Sequence, residues 1–301
     1  MISRRLRAAM LLQVLLLLLP TSYLVADGRL TFTALLLALV AYFVINTCAI
    51  VVGYATLRGY ARAFGPPKQL ARVHSWQCAV NEMLALFVTF VLLQPFERWW
   101  MGKDTLKKVP VGQTVVLLVH GYLCNRGLWW QMRRRLRSRN IAAATINLEP
   151  PLADLDHLVA KLDQRIDSLL QETGAAKLVL IAHSMGSLVC RAYLQTNGAT
   201  RVAALLMLGA PTHGTDVARL SCGTNARQMQ PQSRWLRNLN SQTLPPIPIC
   251  NIWSRDDEIL LPPETARLEG ASEIVLEDMG HMVMAFSPRV LQCLEAQLAR
   301  I

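Results

Sequence analysis

Charge is scarce in this chain. Asp, Glu, Lys and Arg together make up 17% of its 301 residues, against about 25% in ordinary globular domains, so part of it belongs in lipid. No glycine-rich phosphate loop and no internal repeat is present. No two His, Cys or Asp residues recur at a zinc-ligand spacing, and Asp256-Asp257-Glu258 is too short for a calcium loop. Neither a metal nor any other cofactor is therefore expected. Seven scattered cysteines exclude a disulfide scaffold; Cys222 and Cys250 are open to pairing, but nothing in the sequence brings them together. A 52% hydrophobic content excludes disorder.

The charge that is present is mostly positive, with a formal net of +11. Residues 1–103 hold ten Lys/Arg against three Asp/Glu, and residues 104–301 hold twenty-one against seventeen. The excess lies beside the most apolar third, which fits membrane topology better than nucleic acid. Arg133, Arg134, Arg135, Arg137 and Arg139 form a dense basic run without aromatic interleaving. Helical spacing reads it as a solvated surface, with contact to anionic lipid as the alternative and no nucleic-acid partner expected.

Residues 30–52 carry no charge and, at ~1.5 Å per residue, can cross a hydrocarbon core of ~30 Å. Residues 8–26 form a second apolar run after Arg4, Arg5 and Arg7, read as an uncleaved anchor in preference to a removable signal peptide. Residues 76–96 are ambiguous, because their clean apolar run covers only 83–93, between Asn81, Glu82 and Gln94, Pro95. A third span, an interfacial helix with Trp99 and Trp100 at headgroup depth, and a core helix of the next domain all remain open. Arg4, Arg5, Arg7, Arg58, Arg62, Lys68 and Arg72 flank the first two spans on one side, which the positive-inside rule makes cytoplasmic. The side of everything downstream hangs on 76–96.

From about Thr105 the pattern changes. Short Val/Ile/Leu runs at 115–119, 142–147, 178–182, 203–208, 249–253 and 273–276 predict buried strands. Between them lie helical stretches, among them 155–170 with Asp154 as cap and Gly174 as stop, and 287–298 with Pro288 in its first turn. This alternation predicts an α/β domain with a mainly parallel sheet covered by helices on both faces. The expected division is a membrane region over 1–104, with two or three hydrophobic helices, and this α/β domain over 105–301. The polar stretch 212–248 is the expected cap or lid.

Ala182-His183-Ser184-Met185-Gly186 follows one strand and opens a helix. A serine there sits on a tight turn above the carboxyl edge of the sheet, with small residues at the outer positions and free N–H groups nearby. A serine hydroxyl is a poor nucleophile alone and needs a base and a carboxylate to orient that base. Downstream lie only His213 and His281; His281, just after the last strand, is the preferred base and His213 a pocket-lining residue. The acid comes from Asp256 or Asp257, after strand 249–253. Gly121 in His120-Gly121-Tyr122 permits a turn that points the Tyr122 amide where the Met185 amide also points. His120 precedes the nucleophile and is read as fixing that loop.

Together these pieces resemble the α/β-hydrolase fold, and within it the bacterial lipases and esterases. The resemblance covers roughly residues 113–300, with oxyanion loop, nucleophile, acid and histidine in the family's order. It implies Ser184, Asp257 and His281 as catalytic residues, with Asp256 still possible as the acid, and Tyr122 and Met185 as oxyanion donors. It further implies that His120, Gly121, His183 and His213 line the substrate site. Ala182 stands where the family usually has glycine, and the membrane region departs from secreted lipases. The expected protein is a multi-pass bacterial inner-membrane serine hydrolase of lipid-like esters. An acyltransferase on the same residues and a non-catalytic interaction platform are the alternatives; oligomeric state stays open.

Overall fold

In the computed structural model, residues 2–29, 31–64, 76–110 and 112–301 are described. Six strands form where the apolar runs predict them: β1 (Val115–Val119), β2 (Ala142–Ile146), β3 (Leu178–His183), β4 (Val202–Leu208), β5 (Ile249–Ser254) and β6 (Ser272–Leu276). They make one sheet in the order β2-β1-β3-β4-β5-β6, and every neighbouring pair is parallel. Both faces are covered, so β1, β3 and β5 are buried at every residue, and β1 and most of β3 read as apolar runs and not as alternation. Val115, Leu117, Leu180 and Ala182 point into one core layer; Val116, Leu118, Val179 and Ile181 point into the other.

Helices α6 (Leu155–Thr173) and α7 (Met185–Asn197) fill the first layer. The Asp154 carboxylate caps α6 by accepting from the Asp156 amide at 2.8 Å, and Gly174 ends it at φ 73°. The second layer holds α5 (Trp130–Ser138) and α10 (Pro288–Leu298), the latter capped by Ser287. The chain leaves β1 toward β2 on one side and returns to β3 on the other. The switch point between β1 and β3 opens a crevice at the strands' carboxyl ends. The lid stretch between β4 and β5 folds into a 3₁₀ turn (Asp216–Leu220), α8 (Thr224–Gln228) and α9 (Arg234–Asn240).

Ahead of the sheet, α1 (Ile2–Ala26) and α2 (Phe32–Phe64) are long apolar helices with exposed leucines and valines, such as Leu16 and Val52. They are joined by a 3.0 Å hydrogen bond from Asn46 to Gln13. Both are long and apolar enough to cross a membrane, as is the helical stretch Trp76–Leu93. Of the basic cluster after the second span, Lys68 and Arg72 lie outside the described residues.

The third stretch is built differently. Helix α3 (Trp76–Phe87) runs into π-helical turns (Val88–Leu93) and is followed by α4 (Glu97–Met101). One face is buried along the whole run, from Cys78 and Glu82 through Ala85 and Leu93 to Gln94 and Met101. Ala85 and Met101 join the second core layer of the sheet. Asn125 Nδ2 donates to the Gln94 backbone carbonyl at 2.9 Å, and Arg126 pairs with Glu97 at 2.6 Å. On the outer face Trp76, Leu84 and Trp99 are exposed.

Helix α5 corrects the expectation of a solvated arginine face at one position, Arg133, while Arg134, Arg137 and Arg139 are exposed. Arg133 is 4% exposed, pairs with Asp104 at 3.0 Å and donates to the Met101 carbonyl at 2.8 Å. The same Asp104 carboxylate accepts from the Thr145 amide of β2 at 2.7 Å. A helix's periodicity gives its apolar stripe but not which long side chain finds a buried carboxylate, so Arg133 looked like its neighbours in one dimension. Cys222 is exposed and Cys250 buried, and both are free thiols.

Candidate active site

Ser184 stands between β3 and α7 at φ 54°, ψ −128°, a conformation that non-glycine residues rarely adopt. The turn is pinned by the Ser184 amide donating to the Leu208 carbonyl at 2.8 Å and by Ser187 donating back to Ser184 at 2.9 Å. Its tightness explains Gly186, where a Cβ would lie 2.5 Å from the His120 carbonyl oxygen and 2.8 Å from that of Val119. Any side chain there would push apart β1 and α7. Gly121 is held to glycine for a similar reason, since its Cβ would meet the Ser184 Cβ at 2.8 Å.

Strand β5 ends at Ser254, and the following turn carries two aspartates to opposite duties. Asp257 is 2% exposed; its Oδ1 accepts from the Ile259 and Leu260 amides at 2.9 Å, and its Oδ2 lies 2.7 Å from His281 Nδ1. Asp256 turns away, and its Oδ2 accepts from the Asp278 amide at 2.6 Å. His281 follows β6 and is also buried. Burial works against its protonated form, but the Asp257 charge and hydrogen bond, with Glu82 adding to them, hold its pKa above the usual histidine value.

Ser184, His281, Gly121, Tyr122 and His183 border one cavity of about 250 Å³. Its apolar walls come from the lid, through Val217 and Ala218, and from the third hydrophobic stretch, through Leu86 and Phe90. The lid is hooked over this cavity by Tyr122, whose hydroxyl donates to the Cys222 carbonyl at 2.6 Å and accepts from the Cys222 amide at 3.2 Å.

The remaining histidines divide clearly. His183 lines the cavity, with Nε2 3.0 Å from the His281 carbonyl and its ring centroid 4.6 Å from that of His281. Burial, then the neighbouring His281, press its pKa down to about 3, so it stays neutral and donates to that carbonyl. His120 is outside the cavity lining. Its Nε2 accepts from the Leu148 amide at 2.9 Å and its Nδ1 donates to the Gly121 carbonyl at 2.9 Å, which ties the loop after β1 to the end of β2. His213 is exposed, 3.4 Å from Asn240 Nδ2, and the structure brings it neither to Ser184 nor into the cavity lining.

Two carboxyl groups near the site were not singled out for it by the sequence. Glu82 of α3 is wholly buried, and its two oxygens accept from the Met282 amide at 2.7 Å and the Val283 amide at 3.0 Å. Glu258 accepts from the His281 amide at 3.4 Å and shares a side-chain hydrogen bond with Glu82. Burial, then the Glu82 and Asp257 charges, push the Glu258 carboxyl well above the usual carboxylate range. The available signal was a lone glutamate beside an apolar run, which one-dimensional reading takes for a flank.

Solved structures share this architecture at low identity. The mature form of the lipase BlEst2 from Bacillus licheniformis matches with a TM-score of 0.57 at 17% identity, over 65% of this chain and 96% of that one. Lipase B of Aspergillus fumigatus gives 0.50 at 16%, over 62% and 54%. A bromoperoxidase from Bacillus anthracis gives 0.50 at 12%, over 63% and 93%. At such identities the likeness establishes the α/β-hydrolase fold and nothing finer. Among curated protein sequences no relative matches. The family model described as serine hydrolase matches residues 116–287, more than half of the sequence and the whole stretch from β1 to the loop beyond His281, and the chain belongs to that family.

Proposed function

We propose that this protein is a membrane-anchored serine hydrolase of carboxylic esters with apolar acyl groups. The observation that carries the reading is the 2.7 Å contact between His281 Nδ1 and Asp257, on a cavity that Ser184 also lines. Asp257 fixes the imidazole with its proton on Nδ1, leaving Nε2 to take the Ser184 proton as the hydroxyl oxygen attacks the ester carbonyl. The Tyr122 and Met185 amides stabilise the tetrahedral oxyanion, each such donor lowering the barrier by ~2.7–4 kcal/mol. His281 returns the proton to the departing alkoxide, and water then releases the acyl group by the same route in reverse. Val217, Ala218, Leu86 and Phe90 supply an apolar lining suited to an acyl chain.

The catalytic unit begins at Trp76, ahead of the division expected near residue 104, because one face of 76–101 is part of its core. With one face committed to that core and the other apolar and exposed, this stretch is read as lying along the bilayer surface and not as a third span. Helices α1 and α2 therefore form a two-span hairpin, and the catalytic unit lies on the same side as Arg4, Arg5 and Arg7, the cytoplasmic side. The exposed Trp76, Leu84 and Trp99 rest on the inner leaflet, which places Leu86 and Phe90 beside lipid.

The deciding assay is ester hydrolysis by detergent-purified full-length protein across short, medium and long acyl chains, with Ser184→Ala as the blank. Rates that climb with chain length support a lipolytic enzyme; no rate above the blank on any ester removes the reading. Topology is checked separately with reporter fusions in a bacterial host. A fluorescent protein joined after Ile301 should glow, and alkaline phosphatase joined there should be inactive. Active phosphatase at that position would put the catalytic unit outside the cytoplasm.

A further inference from the structure

The loop that carries His281 is held from an unexpected direction. Met282 and Val283, the two residues after the histidine, donate their amides to the two oxygens of Glu82 at 2.7 and 3.0 Å. The residue before it, Gly280, is pressed so close to that carboxylate that a Cβ would lie 2.4 Å from Glu82 Oε2. The His281 amide itself points to Glu258 Oε2 at 3.4 Å, and Glu82 and Glu258 are joined by a side-chain hydrogen bond. Two buried carboxyl groups in contact require one proton between them. Both Glu82 oxygens accept amides, which leaves the proton on Glu258.

We propose that Glu82 and Glu258 form a proton-sharing carboxyl pair that positions His281, so that the helix ahead of the sheet takes part in catalysis. Glu82 is a positioning residue, since it touches the histidine's loop and not the reacting atoms. The inference rests on the serine hydrolase reading given above. Ionised, Glu82 fixes the loop and lends its charge to the imidazolium. Loss of the Glu258 proton would set two carboxylates against each other and release the loop. The pair's ionisable surroundings are Cys78 on α3, Asp256 and Asp257 beside Glu258, and Asp278 and His281 after β6. Of these the acids carry negative charge and oppose a second ionisation, in line with the high pKa of Glu258.

The test compares pH profiles of kcat and KM for full-length parent, E82Q and E258Q in detergent. E82Q exchanges one accepting oxygen for an NH2 that faces an amide. It should lower kcat roughly tenfold or more with KM within about twofold, and move the acidic limb to lower pH through loss of the Glu82 charge. E258Q keeps a neutral donor toward Glu82 but cannot ionise, so its alkaline limb should extend to higher pH than the parent's. Carbon-13 histidine NMR, with the His281 resonance assigned by H281A, reads the acidic shift without any turnover. A parent that hydrolyses no ester would therefore sink the serine hydrolase reading while the His281 titration in E82Q still decides this one. E82Q and E258Q limbs that overlay the parent's, with only thermal stability lowered, would reduce the pair to a structural contact and overturn the proposal. Should E82Q fail to fold, an unshifted alkaline limb in E258Q alone has the same consequence.

Discussion

Replacing Ser184 by alanine is expected to lower kcat for ester hydrolysis by about 10⁴- to 10⁶-fold, and Asp257→Asn by about 10⁴-fold, with the fold intact in both. The two losses have different causes. The first removes the oxygen that attacks in the proposed mechanism. The second turns an NH2 toward His281 Nδ1 while its Oδ1 still accepts from the Ile259 and Leu260 amides. The imidazole must then present Nδ1 as an acceptor and carry its proton on Nε2, where it can no longer take the serine proton. Asp256→Asn leaves an acceptor for the Asp278 amide and should cost little activity. A comparable collapse in Asp256→Asn, with Asp257→Asn nearly active, would exchange the roles of the two aspartates.

The pH dependence follows from the same contact. In the proposed mechanism His281 must be neutral to act as base, and Asp257 holds its pKa above the usual value despite burial. Activity should rise with pH through a limb set by that raised pKa, and fall as pH drops below it. In Asp257→Asn the residual rate should show the limb displaced to lower pH, because the largest influence favouring the imidazolium is gone. Steady-state kcat/KM between acid and neutral pH measures both positions; a limb that stays put would mean that a group other than His281 is titrating.

Much of the fold could be read in one dimension because its rules are local. Unbroken apolar strands mark a sheet covered on both faces, and Asp154, Gly174 and Ser287 mark helix ends through their own backbone contacts. The region around Ser184 was legible for a related reason: a strand, a tight turn and a helix are consecutive, so their residues announce one another. Glu82 is different. It meets Met282 at a separation of 200 residues, and no periodicity links a glutamate beside an apolar run to a loop after the last strand. Arg133 escaped for the same cause, since its partner Asp104 lies outside its helix. The ambiguity of 76–96 had a physical source as well: one face is apolar toward the core and the other apolar toward the outside, and composition cannot distinguish the two.

Deleting residues 1–104 should abolish folding, whereas deleting 1–75 should leave a folded, active enzyme. The longer deletion removes Asp104, so that Arg133, with a side chain 5% exposed, is left in the interior without its carboxylate; breaking a buried pair on one side costs about 3–5 kcal/mol. It also removes Met101 from the second core layer, a burial of roughly 1.5–3 kcal/mol. The two losses together approach the whole stability of an ordinary domain, about 5–15 kcal/mol. Glu82 disappears with them, which frees the Met282 and Val283 amides beside His281. The shorter deletion touches none of these contacts; it takes away the two long apolar helices, with the packing of α2 on α3, and residues 65–75. Its product should purify with less detergent, melt cooperatively and hydrolyse a soluble short-chain ester at a rate near that of the full chain. Soluble, active protein from residues 105–301 would show that the helix beginning at Trp76 is an attachment to the catalytic unit and not a part of it.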